Sequence, residues 1–358
     1  MNRKAIFFTL MSILIIELVV MSYLISIDTN HNRRIPTIEN RIKVADAYNK
    51  RIKDSILDKL VKVASYKAMQ ELIANPKDYS SIEELNGYFT SIVFNGTIPY
   101  IKGGITSIEN VTLNSTLKKL TQVMNNTFHI NAFFNPKKLE IFQSELTGPW
   151  LFAVNFSFDY FIGTNLGEWN MTGTSIIVTV PVIGLRDPLY LHHASTYEMF
   201  FRRSYDENIV WNNETLLNFI ANKTYRHEPK APNFIQRIMN SVSNSTCCGV
   251  ESFINPEDIS SLGGHEDESY VDYCFFGKKC HTPDYDIYYK IHLVNQLVNG
   301  NPGIPSSYDH FKLDTYHMNL LGVNSSGEYC QYPELDPYCE NADPPAPCQT
   351  GSACEYQP

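Results

Sequence analysis

Asp309, His310, Asp314 and His317 stand close together, and a helix would bring His310, Asp314 and His317 onto one face. A carboxylate orienting an imidazole is the elementary unit of general acid–base chemistry. No Ser or Cys nucleophile is marked beside them, and ordinary polar groups on a helix surface explain the same pattern. His192 and His193 with Glu198 are metal-ligating types, but adjacent histidines point to different sides of a strand or helix. The stretch "GGHEDESYVD" (263–272) offers Asp267, Glu268 and Asp272 as oxygen ligands for calcium, without EF-hand spacing. A solvated glycine-rich loop is the simpler expectation there. The chain has no G-x-S-x-G, H-E-x-x-H, G-x-x-x-x-G-K-[ST] or G-x-G-x-x-G pattern. The reading therefore assigns no catalytic residue, no metal site and no cofactor.

Cysteine carries more information. Cys247, Cys248, Cys274, Cys280, Cys330, Cys339, Cys348 and Cys354 all fall in the C-terminal third of the 358 residues, and no pair has the C-x2-C spacing of a zinc site. An even count packed into one region implies disulfides in an oxidising compartment. Vicinal Cys247 and Cys248 have the form of a redox pair, but two separate structural disulfides are the expectation here. Acceptor triplets N-x-S/T start at Asn95, Asn110, Asn114, Asn125, Asn155, Asn170, Asn213, Asn222, Asn244 and Asn324, and none precedes residue 90. Their placement points the same way, to a glycosylated exterior.

These residues need a carrier, and the opening segment supplies one. Residues 5–27, "AIFFTLMSILIIELVVMSYLISI", are apolar apart from Glu17. As a helix they reach roughly 34 Å, enough to cross a hydrocarbon core of about 30 Å. The run is longer than a cleaved signal's apolar region and ends without a small-x-small site, so a retained transmembrane helix is expected. Cysteines and acceptor triplets place the body outside and the N-terminus in the cytoplasm. A carboxylate at bilayer depth costs about 2.5–3.5 kcal/mol, so Glu17 is either protonated or paired, and a partner on another copy's helix would make the segment an assembly device.

Charge is divided along the chain. The net charge is −9, although residues 33–67 carry ten Lys or Arg against four Asp or Glu. The acidic remainder repels phosphate backbones, which excludes nucleic acid as a partner. The basic stretch is placed to meet anionic lipid headgroups or the acidic body. The expected partners are membrane lipid, and further copies or envelope proteins met through the N-terminal helix.

"RKAIFFTLMSILIIELVV" resembles the start of type IV pilin-like and archaeal class III signal proteins: a short basic leader, a small residue at Ala5, then an apolar helix carrying a Glu. The resemblance implies a peptidase cut next to Ala5 and a helix able to pack into an envelope assembly; Glu17 lies further from that cut than pilins place theirs. "VIGLRDPLYL" (182–191), "APNFIQRIMNSVSNSTCCGVESFINPEDI" (231–259), "ESYVDYCFFG" (268–277) and "FKLDTYHMNLLG" (311–322) resemble uncharacterised archaeal surface proteins with the same kind of anchor. That likeness implies location and architecture and brings no catalytic residues.

Periodicity supplies the elements. Ile42, Tyr48, Ile52, Ile56, Leu60, Ala64 and Leu72 recur near helical spacing, so a basic amphipathic stalk helix is expected to end near Asn75–Pro76. Ser80 and Glu83 form a capping-box pattern for a helix through Ile92, and a further helix is expected over 113–126. From there the period becomes two. Val154, Phe156, Phe158 and Tyr160 alternate with Asn155, Ser157 and Asp159, with "KLEIFQSEL" and "TSIIVTVPVIGL" as neighbouring strands, Pro181 marking the latter as an edge or bulge. Short helices are expected at 213–222 and 233–243. The Cys- and Pro-rich end buries little apolar area and would need cross-links.

The fold expected is α+β: an N-terminal transmembrane helix, an amphipathic stalk helix, helices packed on an antiparallel sheet, and a disulfide-rich C-terminal region. The segments are 1–27 tip and anchor, 28–76 stalk, 77–190 extracellular α+β domain, 191–329 irregular cysteine-bearing region and 330–358 appendage. The expected role is a non-enzymatic surface protein, pilin-like in its anchor. The alternatives are a membrane-tethered hydrolase acting on envelope polymers and a glycan- or protein-binding receptor.

Overall fold

The computed structural model of the chain describes residues 14–22, 43, 46–47, 49–101, 108, 111–128, 130–164, 167–194, 196–204, 213–262, 269–277, 287–291, 311–321 and 328–331. It is α+β with an antiparallel sheet at its centre.

The segment expected as a stalk begins with a π-helical turn, Ile52–Ile56, and continues as α1, Leu57–Ala74, which packs into the core of the body. Leu57, Leu60, Val61, Ala64, Ala68, Met69 and Leu72 recur every three or four residues and are all buried. Pro76 follows the C-cap Asn75, whose side-chain amide donates to the Glu71 carbonyl at 2.9 Å. The cap of α2, Ile82–Asn95, sits one residue beyond the expected Ser80–Glu83 pair. Ser81 Oγ accepts from the Glu84 amide at 3.2 Å, while Glu84 Oε2 accepts from the Ser80 amide at 2.8 Å. The helix closes on Gly96, left-handed at φ 69°, a conformation only glycine enters freely. In α3, Leu113–Phe128, Leu113, Leu117, Leu120 and Met124 are buried.

Strands β1 (Asn131–Phe142), β2 (Leu151–Thr164) and β3 (Gly167–Pro181) pair antiparallel in the order β1-β2-β3. The register sets Leu139 opposite Phe156 and Phe156 opposite Ile176. Phe152, Val154, Phe156, Phe158, Tyr160 and Ile162 of β2 are all buried, each contributing about 1.5–3 kcal/mol, while α1 packs on β3 and α2 and α3 on β1. The other face is wet, with Lys137 Nζ 3.0 Å from Asp159 Oδ2. Pro181 ends the edge strand β3, and Pro136 marks a register shift in the other edge strand, β1.

After Val182 the elements shorten: α4 Pro188–His193, α5 Asn213–Ala221, β4 Arg226–His227, α6 Phe234–Ile238, β5 Val250–Glu251, a 3-10 helix Pro256–Leu262, α7 Asp272–Phe275, β6 Ile287–Ile291, β7 Phe311–Asp314, α8 Thr315–Leu321 and β8 Glu328–Gln331. β4 pairs with β5, and β7-β6-β8 form a second antiparallel sheet. The helix expected over 233–243 ends early, at a turn where Asn240 is left-handed at φ 54°. One apolar core joins both halves, with Phe152 stacked on Phe234 at 5.7 Å. Gln143 pins the same junction: Oε1 accepts from the Phe234 amide at 2.9 Å and Nε2 donates to the Leu151 carbonyl at 3.0 Å.

Among the described residues no helix is long and apolar enough to cross a membrane. Most of the run 5–27 lies outside them. Its described part, 14–22, is helical and leaves Ile15, Ile16, Val19 and Val20 exposed.

Candidate functional site

The short elements of the second half converge on charge. Arg237, on α6, has no exposed surface, and α6 is held in place by a capping box between Asn233 and Gln236. Its Nη1 donates to Asp187 Oδ2 at 2.6 Å and to Asp272 Oδ2 at 2.8 Å, and its Nη2 donates to the Val250 carbonyl. Asp187 caps a helix start, its Oδ1 accepting from the Leu189 amide at 2.9 Å, and Asp272, the first residue of α7, accepts at Oδ1 from the Tyr273 amide at 2.7 Å. Tyr225 Oη donates to Asp187 Oδ2 at 2.7 Å, and the Ser252 amide to Asp272 Oδ2 at 3.1 Å. Burial pushes the Asp272 carboxyl up to about 7, against the pull of Arg237. Arg237 stays cationic: burial works against its charge, but the two aspartates raise its pKa above the ordinary value.

A second chain of partners runs through His317 on α8. Asp314 ends β7 and turns the chain into that helix; its Oδ1 accepts from the His317 amide at 2.9 Å and its Oδ2 from Ser269 Oγ at 2.6 Å. His317 Nδ1 lies 2.7 Å from Asp314 Oδ2, and its Nε2 lies 3.1 Å from Glu251 Oε2. Burial pulls the imidazole down, but Glu251 and Asp314 outweigh it and raise His317 to about 10. Burial likewise pushes Glu251 up, and His317 with Arg226 reverses this to hold it at about 2. Arg226 bridges onward, from Nε to Glu251 Oε1 at 2.7 Å and from Nη2 to Glu228 Oε2 at 2.9 Å; Tyr316 Oη donates to Glu228 Oε1 at 3.1 Å.

This arrangement holds charge. Both imidazole nitrogens face carboxylates, and His317, Asp314 and Glu251 have no exposed surface, so the ring as placed offers no basic lone pair to a solute. Desolvating such ions costs several kcal/mol each, which pairing with opposite charge offsets. Arg237 and His317 both meet carboxylates, although Arg237 Nε is a buried donor without a partner, and these pairings fix how the short elements dock.

An adjacent-cysteine turn feeds this network. Cys247 and Cys248 are bonded to each other, which corrects the expectation of two separate disulfides: the turn through left-handed Cys248 brings the two neighbouring sulfurs together. Cys248 is left-handed at φ 70°, costing about 1–2 kcal/mol for a residue with a Cβ. Gly249 follows with no room for one, since an added Cβ would lie 2.2 Å from the Glu228 carbonyl and 2.3 Å from that of Ala231. Next comes β5, whose Val250 carbonyl meets Arg237 and whose Glu251 meets His317. Fully buried Cys274 is disulfide-bonded as well.

The structure sorts the other sequence-derived candidates. Asp314 and His317 come together, but buried at a strand–helix junction and not on a solvated helix face; Asp309 and His310 lie outside the described residues. Asp272, expected in a solvated loop, is buried, because its carboxylate meets the Arg237 guanidinium and the Ser252 amide; Asp267 and Glu268 lie outside the described residues. His192 faces the Ile238 carbonyl at 3.1 Å, His193 stacks on Phe276 at 4.7 Å, and Glu198 pairs with Arg186, so the three do not converge. Among the described residues no group of three or more His, Cys, Asp or Glu is arranged to hold a metal ion. Glu17 lies 3.4 Å from Lys59 Nζ and 3.8 Å from Arg51 Nη2, both cations of its own chain. Cys280, Cys339, Cys348 and Cys354 lie outside the described residues, as does the side chain of Cys330 in β8.

Arg237, Asp187, Glu251, Arg226 and Glu228 were not among the sequence-derived candidates. The signal was a charge set inside an apolar window: Arg237 between Phe234–Ile235 and Ile238, and Glu251 between Val250 and Phe253. No protein-family model, curated protein or solved structure matches the chain.

Proposed function

We propose that the chain is a non-enzymatic surface protein, tethered to the cell membrane by its apolar N-terminal run with its body on the oxidising, outer side. The observation that carries this reading is that every described cysteine is engaged in a disulfide. The acceptor triplets support it: Asn95, Asn114, Asn125, Asn170, Asn222 and Asn244 are exposed and Asn155 is half-buried on the wet face of the sheet, as glycan attachment requires. The remaining acceptors, Asn110, Asn213 and Asn324, lie outside the residues with described side chains. The sealed network fits a displayed scaffold whose irregular half must keep its shape. Protease added to intact cells should remove the body, and unreduced mass spectrometry should find the cysteines paired. A protected body, or eight free thiols, rejects the reading.

The pilin-like part of the reading concerns Glu17. Self-association through this carboxylate exchanges Lys59 and Arg51 for a partner on another copy. Glu17→Leu should then abolish cross-linked oligomers in membranes, and unchanged oligomers reject an assembly role without touching the surface location.

A further inference from the structure

We infer that Cys247–Cys248 is an exchangeable disulfide, a redox site for dithiol reductants that opens ahead of the disulfide that holds the buried Cys274 and sets the rigidity of β5 and the charge network behind it. The inference rests on the reading that the cysteines are oxidised, and goes beyond it by giving one pair a distinct chemistry.

Access separates the sulfurs. Cys247 is half-buried, whereas Cys248 is 3% exposed and Cys274 has no exposed surface. An incoming thiolate therefore reaches Cys247 Sγ first, and exposed disulfides are the labile ones. The new bond joins the reductant's sulfur to Cys247 Sγ as the Cys247–Cys248 bond breaks. Cys248 leaves with the electron pair as a thiolate and takes a proton from water. The reductant's second thiol then displaces Cys247, so two electrons and two protons have moved and the dithiol ends as a cyclic disulfide.

The turn carries the consequence inward. Cys248 sits in a left-handed conformation that residues with a Cβ avoid, and the ring closed by the disulfide holds it there. Gly249 is walled in by the carbonyls of Glu228 and Ala231, its own carbonyl accepts from the Glu228 amide at 3.0 Å, and the Val250 amide donates to the Pro232 carbonyl at 3.2 Å. Relaxation of Cys248 must therefore disturb Gly249 and Val250. The Val250 carbonyl and the Glu251 carboxylate are the links of this strand to Arg237, Arg226 and His317.

The test uses the full chain in detergent, treated briefly with dithiothreitol and then alkylated with an isotope-labelled maleimide. Cys247 and Cys248 should label about tenfold faster than Cys274, and amide exchange over 249–252 should rise about tenfold in step. Phenylarsine oxide, which bridges neighbouring thiols, should restore protection. The double variant Cys247→Ala with Cys248→Ala should show the raised exchange without reductant and no response to it. Labelling no faster than Cys274, labelling without a change in exchange, a double variant as protected as the oxidised chain, or peptides showing the two cysteines bonded to other partners would each overturn the inference. In all of those cases the cysteines begin oxidised and the surface location stands; eight thiols reactive before reduction would remove both.

Discussion

Residues 52–181 fill their interior with rings and branched aliphatics aligned by one strand, while residues 182–321 set an arginine, a histidine and five carboxylates among theirs. In the first region Phe156 stacks on Phe158 at 4.7 Å, and any side chain of similar volume that keeps the alternation would serve. In the second, Arg237 must find Asp187, Asp272 and the Val250 carbonyl together. Long strands align themselves through repeated pairing. Elements of two to nine residues lack that option, and directional, charge-assisted bonds supply the alignment instead.

Arg237→Ala gives the largest expected change, about 3–5 kcal/mol in denaturant unfolding, because Asp187 and Asp272 are left buried without their cation. Phe156→Ala should cost a comparable 3–5 kcal/mol, roughly the loss for a buried aromatic ring. What separates the two variants is pH, the next effect in size. Glu251, at about 2 against 4.5 unfolded, contributes stability above pH 4.5 that is lost as pH falls toward 2. His317, at about 10 against 6.5, contributes stability below pH 6.5 that is lost as pH rises toward 10. Asp272, at about 7 against 3.8, adds a contribution present below pH 3.8 and lost on the way to pH 7. The wild-type melting temperature should therefore peak near pH 4.5 and fall steadily to pH 10. Phe156→Ala should lower that curve without reshaping it, and Arg237→Ala should change its shape between pH 4 and 7; parallel curves for both would show that the network does not stabilise the second region. The smallest expected effect is at the caps: Ser81→Ala and Asn233→Ala should each cost about 1 kcal/mol, one in each region, read from the shift in denaturant midpoint.

The same contrast decides what could be read from the sequence. The strand β2 was readable because its inward side chains repeat every second residue over its whole length, and α1 because its buried positions repeat every three or four. Even there, local detail slipped: two serines precede α2, and spacing alone did not say which one caps it. The second region has no element long enough to show a period. Asp314 and His317 attracted notice by residue type, but their burial follows from contacts with Ser269 and Glu251, far away in sequence. Arg237 and Asp187 each carry only the weak signal of a single charge in an apolar stretch, and nothing in the spacing says that the two meet.

Helix α2 covers part of the outer edge of β1. Asn86 Oδ1 takes the amide hydrogen of Ile141 at 2.8 Å, and Thr90 Oγ1 donates to the carbonyl of Leu139 at 3.3 Å. Two of the backbone groups that would template a further strand are thus taken on this side, and Pro181 ends the opposite border. A second copy approaching this border would therefore have to displace Asn86 and Thr90 before its own strand could pair there.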